Sequence, residues 1–252
     1  MAAIPVTSGL QLLLDARTIT GLSDGDSIAS WNDSSANGNN AAQANASNRL
    51  VYKTNIYGSN PAARCDATNK QIGGTYSGWT GGTGATILCC VSNTPTGQGS
   101  SVRLFSTAVT GANDTSHYLI GLGNNLDIYV NTASRISLAN VNSTQPQIVG
   151  FAVDSSQIDL LINGIFRGNV AHAFSLPSST QNVYATGRIA SGAMSGDFCK
   201  STDFHFITAF SRRLTFTEIN DVCSWMRSEL GMETAGGGAS RPTTPFQQQV
   251  IA

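Results

Sequence analysis

Short apolar runs alternate with polar turns along most of this chain, and helical periodicity enters only near its end. Leu10 to Asp15, Ile87 to Ser92, Val102 to Thr107, Tyr118 to Leu122 and Leu126 to Val130 each have the length of a strand. Ile148 to Val153, Ile158 to Ile162, Val183 to Ile189 and Asp203 to Phe210 extend the series. Turn residues separate them: Asn124-Asn125, then Asp154-Ser155-Ser156-Gln157, then Asn163-Gly164 leading into Ile165-Phe166-Arg167. An Asn-Gly pair between apolar runs signals a tight hairpin, because a type I′ turn needs positive φ at both central residues. Many short strands joined by polar turns predict a sandwich or barrel rather than a βαβ fold.

One helix breaks the pattern. Thr215-Phe216-Thr217-Glu218 fits a capping box, in which the Thr215 hydroxyl and the Glu218 carboxylate each satisfy an orphan amide. Ile219, Val222, Cys223, Met226 and Leu230 then fall on one helical face, and Gly231 is a natural stop. This face is expected to pack across the sandwich or to plug one end of it. Beyond it, Glu233 to Pro245 reads as a Gly/Ser segment followed by a stiffer Pro-containing one, ending in Phe246-Gln247-Gln248-Gln249-Val250-Ile251-Ala252. Residues 1–232 are therefore expected to form the domain and residues 233–252 a flexible docking arm, with Phe246, Val250 and Ile251 as its partner-binding side chains.

Composition sharpens this picture. Of 252 residues only 12% are charged, about half the usual share, while 40% are hydrophobic. The surface must then be built from Ser, Thr, Asn, Gln and Gly, which hydrogen-bond well to sugars or to a neighbouring subunit. Lysine is scarce (Lys53, Lys70, Lys200), which suits a surface buried in an assembly, since lysine has the most side-chain entropy to lose. A net charge of −1 without a basic run argues against nucleic acid. Cys65, Cys89, Cys90, Cys199 and Cys223 form neither a CxxC motif nor an even set, so they read as small buried hydrophobes. Asn32, Asn45, Asn113 and Asn142 begin Asn-x-Ser/Thr sequons, relevant only in a glycosylating compartment. Met1 to Leu14 lacks a basic region and a long apolar run, and no stretch approaches a membrane span. The expectation is folding in a cytoplasm, although a chain stripped of its signal would look the same.

A longer string now becomes informative. Leu12-Leu13-Leu14-Asp15-Ala16 is followed by Ile19-Thr20-Gly21-Leu22-Ser23-Asp24-Gly25-Asp26, Ser30-Trp31-Asn32-Asp33, Asn37-Gly38-Asn39-Asn40-Ala41 and Asn60-Pro61-Ala62. Near the other end stand Phe210-Ser211-Arg212-Arg213-Leu214-Thr215, Glu218-Ile219 and Glu229-Leu230-Gly231-Met232. This order resembles the laminin-G-like, concanavalin-A-type jelly rolls of bacterial surface proteins and phage virion proteins. The resemblance spans roughly residues 8–232. It implies an all-β, two-sheet antiparallel jelly-roll sandwich with one C-terminal helix and an extended C-terminal tail. In such a domain Trp31 would anchor the first long loop. The fold alone does not carry a function, since it hosts lectins, glycosidases and structural proteins.

The candidate chemistry narrows the choice. Glycoside hydrolysis needs two carboxylates facing one sugar bond. Glucanases of the resembled fold place theirs in a Glu-x-Asp-x-x-Glu pattern along one strand, whereas Glu218, Glu229 and Glu233 all lie on or just beyond the helix. Asp154 and Asp159 flank a hairpin. His117, His172 and His205 are scattered, and no Gly-x-Ser-x-Gly elbow is present, so no catalytic residue is expected. Gly73-Gly74 and Gly81-Gly82-Thr83-Gly84 lack the Lys-Ser/Thr of a phosphate loop. No cofactor is expected. Calcium enters only through Asp24, Asp26 and Asp33, with Asn37 nearby, which offer hard oxygen ligands on a loop. Asp-Gly is also ordinary turn chemistry and no full ligand loop follows, so the turn is the plainer reading. For sugar, Tyr76 and Trp79, or Tyr52 and Tyr57, are candidate aromatic platforms, with loop-pinning the plainer reading for any one of them.

These strands of reasoning lead to a non-enzymatic virion structural protein, a capsid decoration or a head or tail fibre component. Its partners would be identical subunits in a homo-oligomer or other virion proteins, with no nucleic acid and no membrane. The rival expectation is a lectin-like adhesion module of a bacterial surface or secreted protein, extracellular and bound to a cell-surface glycan.

Overall fold

The computed structural model describes residues 2–66, 70–76, 82, 84–92, 103–109, 119–122, 125–130, 133–139, 143–171, 181–184, 188–190, 193–195 and 202–232. They form two antiparallel sheets. The first runs β14 (Ile165–Ala171), β13 (Gln157–Ile162), β12 (Gln147–Val153), β7 (Ala85–Ser92), β18 (Thr202–Phe210), β5 (Asn60–Cys65) and β4 (Val51–Tyr57), with β1 (Leu10–Asp15) also paired to β18. The second runs β11 (Ala133–Ala139), β10 (Asn125–Val130), β9 (Leu119–Leu122), β8 (Arg103–Val109), β15 (Gln181–Tyr184), β6 (Gly73–Tyr76), β3 (Ala41–Ala42) and β2 (Ser30–Trp31). A small hairpin joins β16 (Arg188–Ala190) to β17 (Ala193–Ser195). Neighbours such as β7–β18 and β15–β6 are far apart in sequence, the crossover pattern of a jelly-roll sandwich.

The central strands of the first sheet, β7, β12 and β18, are buried on both faces. Ile87, Cys89 and Val91 of β7 point between the sheets with Leu14, Phe105 and Phe151. Leu88 and Cys90 point the other way, into a second cluster with Phe206, Phe210 and the helix. A strand covered on both sides needs no polar alternation, which is why Ile87 to Val91 is continuously apolar.

Helix α1 (Phe216–Leu230) covers the outer face of that sheet, the first of the two placements expected. The capping box is formed: Thr215 Oγ1 accepts from the Glu218 amide at 3.3 Å, and Glu218 Oε2 accepts from the Thr215 amide at 2.8 Å. Gly231 adopts φ 69° and closes the helix. The predicted stripe is buried, and Trp225 adds to it, its ring 5.2 Å from Phe206. Each large side chain so buried is worth roughly 1.5–3 kcal/mol before ordering costs.

The edge of β18 is shared, with β5 pairing its beginning and β1 its end. The far edge of β1 is closed by side chains of the first long loop. Asp33 Oδ1 accepts from the Leu13 amide at 2.9 Å, while the Asn37 and Asn39 amides donate to the carbonyls of Leu10 and Gln11 at 2.8 and 2.7 Å. Trp31 anchors this loop from the core, donating from Nε1 to the Asp15 carbonyl at 3.0 Å. Side chains thus replace the missing neighbouring strand and leave no open template for another chain.

Two expectations change. Val183 to Ile189 is not one strand: β15 and β16 are separate and belong to different sheets. Strands β2 to β6, β11 and β17 are additional to those expected. Cys65, Cys89, Cys90 and Cys223 are buried, as the small-hydrophobe reading expects; Cys199 and the arm at 233–252 lie outside the described residues.

Candidate functional site

Among the described residues a shallow concavity lies where the β12–β13 hairpin meets the start of α1. Asp154 follows β12 and shapes the turn: its Oδ1 accepts from the Ser156 amide at 2.8 Å, the Ser156 hydroxyl at 2.6 Å and the Gln157 amide at 3.1 Å. Its other oxygen accepts from Arg213 Nη1 at 2.9 Å, and Arg213 Nη2 donates to Asp159 Oδ2. Burial alone would raise the Asp154 carboxyl, but these donors outweigh it and hold it below the usual carboxylate range.

Arg213 is held from below by a threonine. Thr86 Oγ1 donates to the Arg212 carbonyl at 3.1 Å and accepts from the Leu214 amide at 2.9 Å, so β7 fixes the chain on both sides of Arg213. Gly84 permits the approach, since a Cβ there would stand 2.8 Å from the Arg213 nitrogen. The resulting groove has a volume of about 220 Å³ and is lined by Asp159 and Arg213 together with Leu161, Phe166, Phe216 and Ile219. Two partly exposed rings beside fixed donors and acceptors can hold the apolar face and the hydroxyls of a sugar together. Phe166, Phe216 and Arg213 were all in plain view in the sequence, but strands and helix had to fold before they met.

The expected sites fare differently. Tyr76 is only 1% exposed and lies between the sheets, so its ring offers no face to a ligand; burial also raises its hydroxyl pKa. Its companion Trp79 lies outside the described residues, as do Phe246, Val250 and Ile251 of the arm. Tyr52 belongs to the same inner core, and Tyr57 packs against the helix-side cluster.

The calcium candidates do loop work. Asp24 accepts from Lys53 Nζ and from the Thr54 amide at 2.9 Å, Asp26 from the Ser23 amide at 2.7 Å. Asp33 accepts from the amides of Leu13, Ser35 and Asn39, each at 2.9 Å, and from the Ser35 hydroxyl at 2.7 Å. Among the described residues no three His, Cys, Asp or Glu side chains converge as a metal site.

Ser92 Oγ and His205 Nε2 stand 2.9 Å apart, and His205 Nδ1 is 3.2 Å from the Pro61 carbonyl. A carbonyl only accepts, so Nδ1 carries the proton and Nε2 receives the serine hydroxyl. Both residues are sealed from solvent, and burial lowers the histidine pKa, so the pair is a satisfied neutral bond in the sheet. His117 and His172 lie outside the described residues. Glu218 is bound by Arg212 at 2.6 and 2.9 Å in addition to its capping role. Among the described residues no helix is long and apolar enough to cross a membrane.

A scan against protein-family models found no match, and neither did a search of curated proteins. Solved structures do share the fold. The Trypanosoma rangeli sialidase in complex with sialic acid aligns at a TM-score of 0.59 and 13% identity, over 92% of this chain but only 35% of the sialidase. Domain 4 of an extracellular arabinanase from Geobacillus stearothermophilus, in complex with arabinotriose, aligns at 0.57 and 14% identity, over 86% of this chain and 98% of that domain. The binding domain of botulinum neurotoxin serotype D aligns at 0.59 and 13% identity, over 87% of this chain and 51% of that one. The class defined is therefore the antiparallel β-sandwich shared with these proteins, and at such identities the likeness is one of fold.

Proposed function

We propose that this chain is a non-catalytic carbohydrate-binding module of a surface or secreted protein, with the Arg213 groove as its sugar site. The observation that carries the proposal is the juxtaposition of Phe166 and Phe216 with the Arg213–Asp159 pair in one concavity, Arg213 being held in turn by Asp154. Aromatic rings cover the C–H face of a sugar, while an immobilised guanidinium and carboxylates meet its hydroxyls without an ordering cost on binding. The arabinanase domain supports it, being matched over nearly its full length and carrying arabinotriose. A non-catalytic role is supported among the described residues by the same chemistry: Asp154 and Asp159 are both engaged by one arginine, and Glu218 and Glu229 by Arg212 and Arg17. A general acid needs a carboxyl with its pKa raised, which an arginine partner opposes.

The virion role is the second reading. It rests on the sequence resemblance and on the arm at 233–252, and the structures named above are not virion components. Calorimetric titration with an oligosaccharide panel tests the proposal. Phe216→Ala and Phe166→Ala should each weaken the best ligand at least tenfold with the fold retained. A panel without any ligand rejects it, and so does binding that both variants leave intact.

A further inference from the structure

We infer that the groove beside Arg213 accepts neutral sugars and turns away sialic and uronic acids; this rests on the carbohydrate-binding reading of the same groove. Recognition of a sugar carboxylate is best made by a guanidinium that offers two parallel N–H donors. Arg213 is the only cation among the described residues lining the groove, and both of its terminal nitrogens are engaged, Nη1 by Asp154 and Nη2 by Asp159. An incoming carboxylate would have to displace one aspartate and then sit beside it, a like-charge contact within a partly desolvated wall.

The other positive feature nearby is the amino end of α1, and it too is satisfied. Glu218 accepts from the Thr215 amide at 2.8 Å and from the Thr215 hydroxyl at 3.0 Å, placing its own carboxylate where an anion would dock. Arg212, the adjacent cation, is bound to both oxygens of Glu218. Among the described lining residues the groove therefore presents no uncommitted cation to receive a negative charge. Asp159 Oδ1 already accepts from Gln157 Nε2 at 2.9 Å and its Oδ2 from Arg213, whereas a neutral sugar brings no charge to this wall and lays its C–H face on Phe166 or Phe216. The volume of about 220 Å³ lies below the ~300–1,000 Å³ of drug-sized pockets, so it holds one ring, with the rest of the chain running out to solvent.

The test is calorimetric titration of the full chain with neutral probes (arabinotriose, cellotriose, galactotriose) and acidic ones (trigalacturonate, sialyllactose). Ligands are expected among the neutral probes alone, at least tenfold tighter than any acidic one. Asp154→Asn and Asp159→Asn, each checked for an intact melting transition, should free one edge of Arg213 and narrow that gap at least tenfold. An acidic probe bound as tightly as the best neutral one by the unaltered chain overturns this inference and leaves the carbohydrate-binding reading standing. Failure of every probe to bind overturns both.

Discussion

Gly150 of β12 lies against the main chain of β7 so closely that a Cβ at this position would stand 2.1 Å from the Ile87 carbonyl oxygen. The two strands lie at the centre of the first sheet, buried on both faces, and their contact leaves no room for even a methyl group. Gly150→Ala should therefore destabilise the domain by about 1–3 kcal/mol, the usual cost of overpacking. Urea unfolding measures this directly. A midpoint equal to that of the unaltered chain would mean that β12 and β7 sit further apart.

The helix cap is the second test. Thr215→Ala removes the hydroxyl that accepts from the Glu218 amide and should cost about 1 kcal/mol, seen as a fall of a few degrees in Tm. Thr215→Ser should retain most of it. Equal losses in both variants would show that the threonine methyl, not the cap, is what matters.

Features set by local chemistry could be read from the chain, and those set by distant packing could not. The capping box, the Gly231 stop and the Asn163-Gly164 turn, with φ of 54° and 78°, depend on neighbours in sequence and stand as expected. Strand β5 is less visible because Asn60-Pro61-Ala62-Ala63 lacks branched and aromatic residues. Its proline fits only because the β4–β5 register shifts there, between Lys53 and Tyr57, where a ladder hydrogen bond is not needed. Tyr76 looked like a loop aromatic beside glycines. Those glycines let the ring fold inward: a Cβ on Gly74 would stand 2.8 Å from it. The groove drew on β13, β14, the β18–α1 connection and the first turn of the helix, a convergence that no periodicity encodes.

The buried histidine makes the stability of the fold depend on pH. Its folded-state pKa lies below the ordinary 6.5 because of burial, so the unfolded chain binds the proton more readily. Stability is then fully present above about pH 6.5 and lost as pH falls below it. Unfolding midpoints should decline from about pH 7.5 to about pH 5. This window stays clear of Glu218, which Arg212 and Thr215 hold at about 2 against an ordinary 4.5. His205→Gln should start less stable and decline less steeply over the same window. Stability that rises on acidification would contradict a neutral buried His205.

Asp33 separates a structural carboxylate from a metal ligand. It accepts from three backbone amides and one hydroxyl and closes the edge of β1. Asp33→Ala leaves those donors unpaired and should cost about 1–3 kcal/mol. Neither millimolar calcium nor a chelator should move the Tm of the unaltered chain. A calcium-dependent rise that Asp33→Ala abolishes would instead make this loop a metal site.

The central claim is that a sugar sits between Phe216 and the Arg213–Asp159 pair. The most direct measurement is a two-dimensional amide NMR titration of the isotopically labelled chain with arabinotriose or the best neutral ligand of the panel. Saturable shifts are expected at Asp159, Phe166, Arg213, Leu214 and Phe216, and these should vanish in Phe216→Ala. Saturable shifts confined to the second sheet or to the loop at Asp33, with the groove silent, would contradict it.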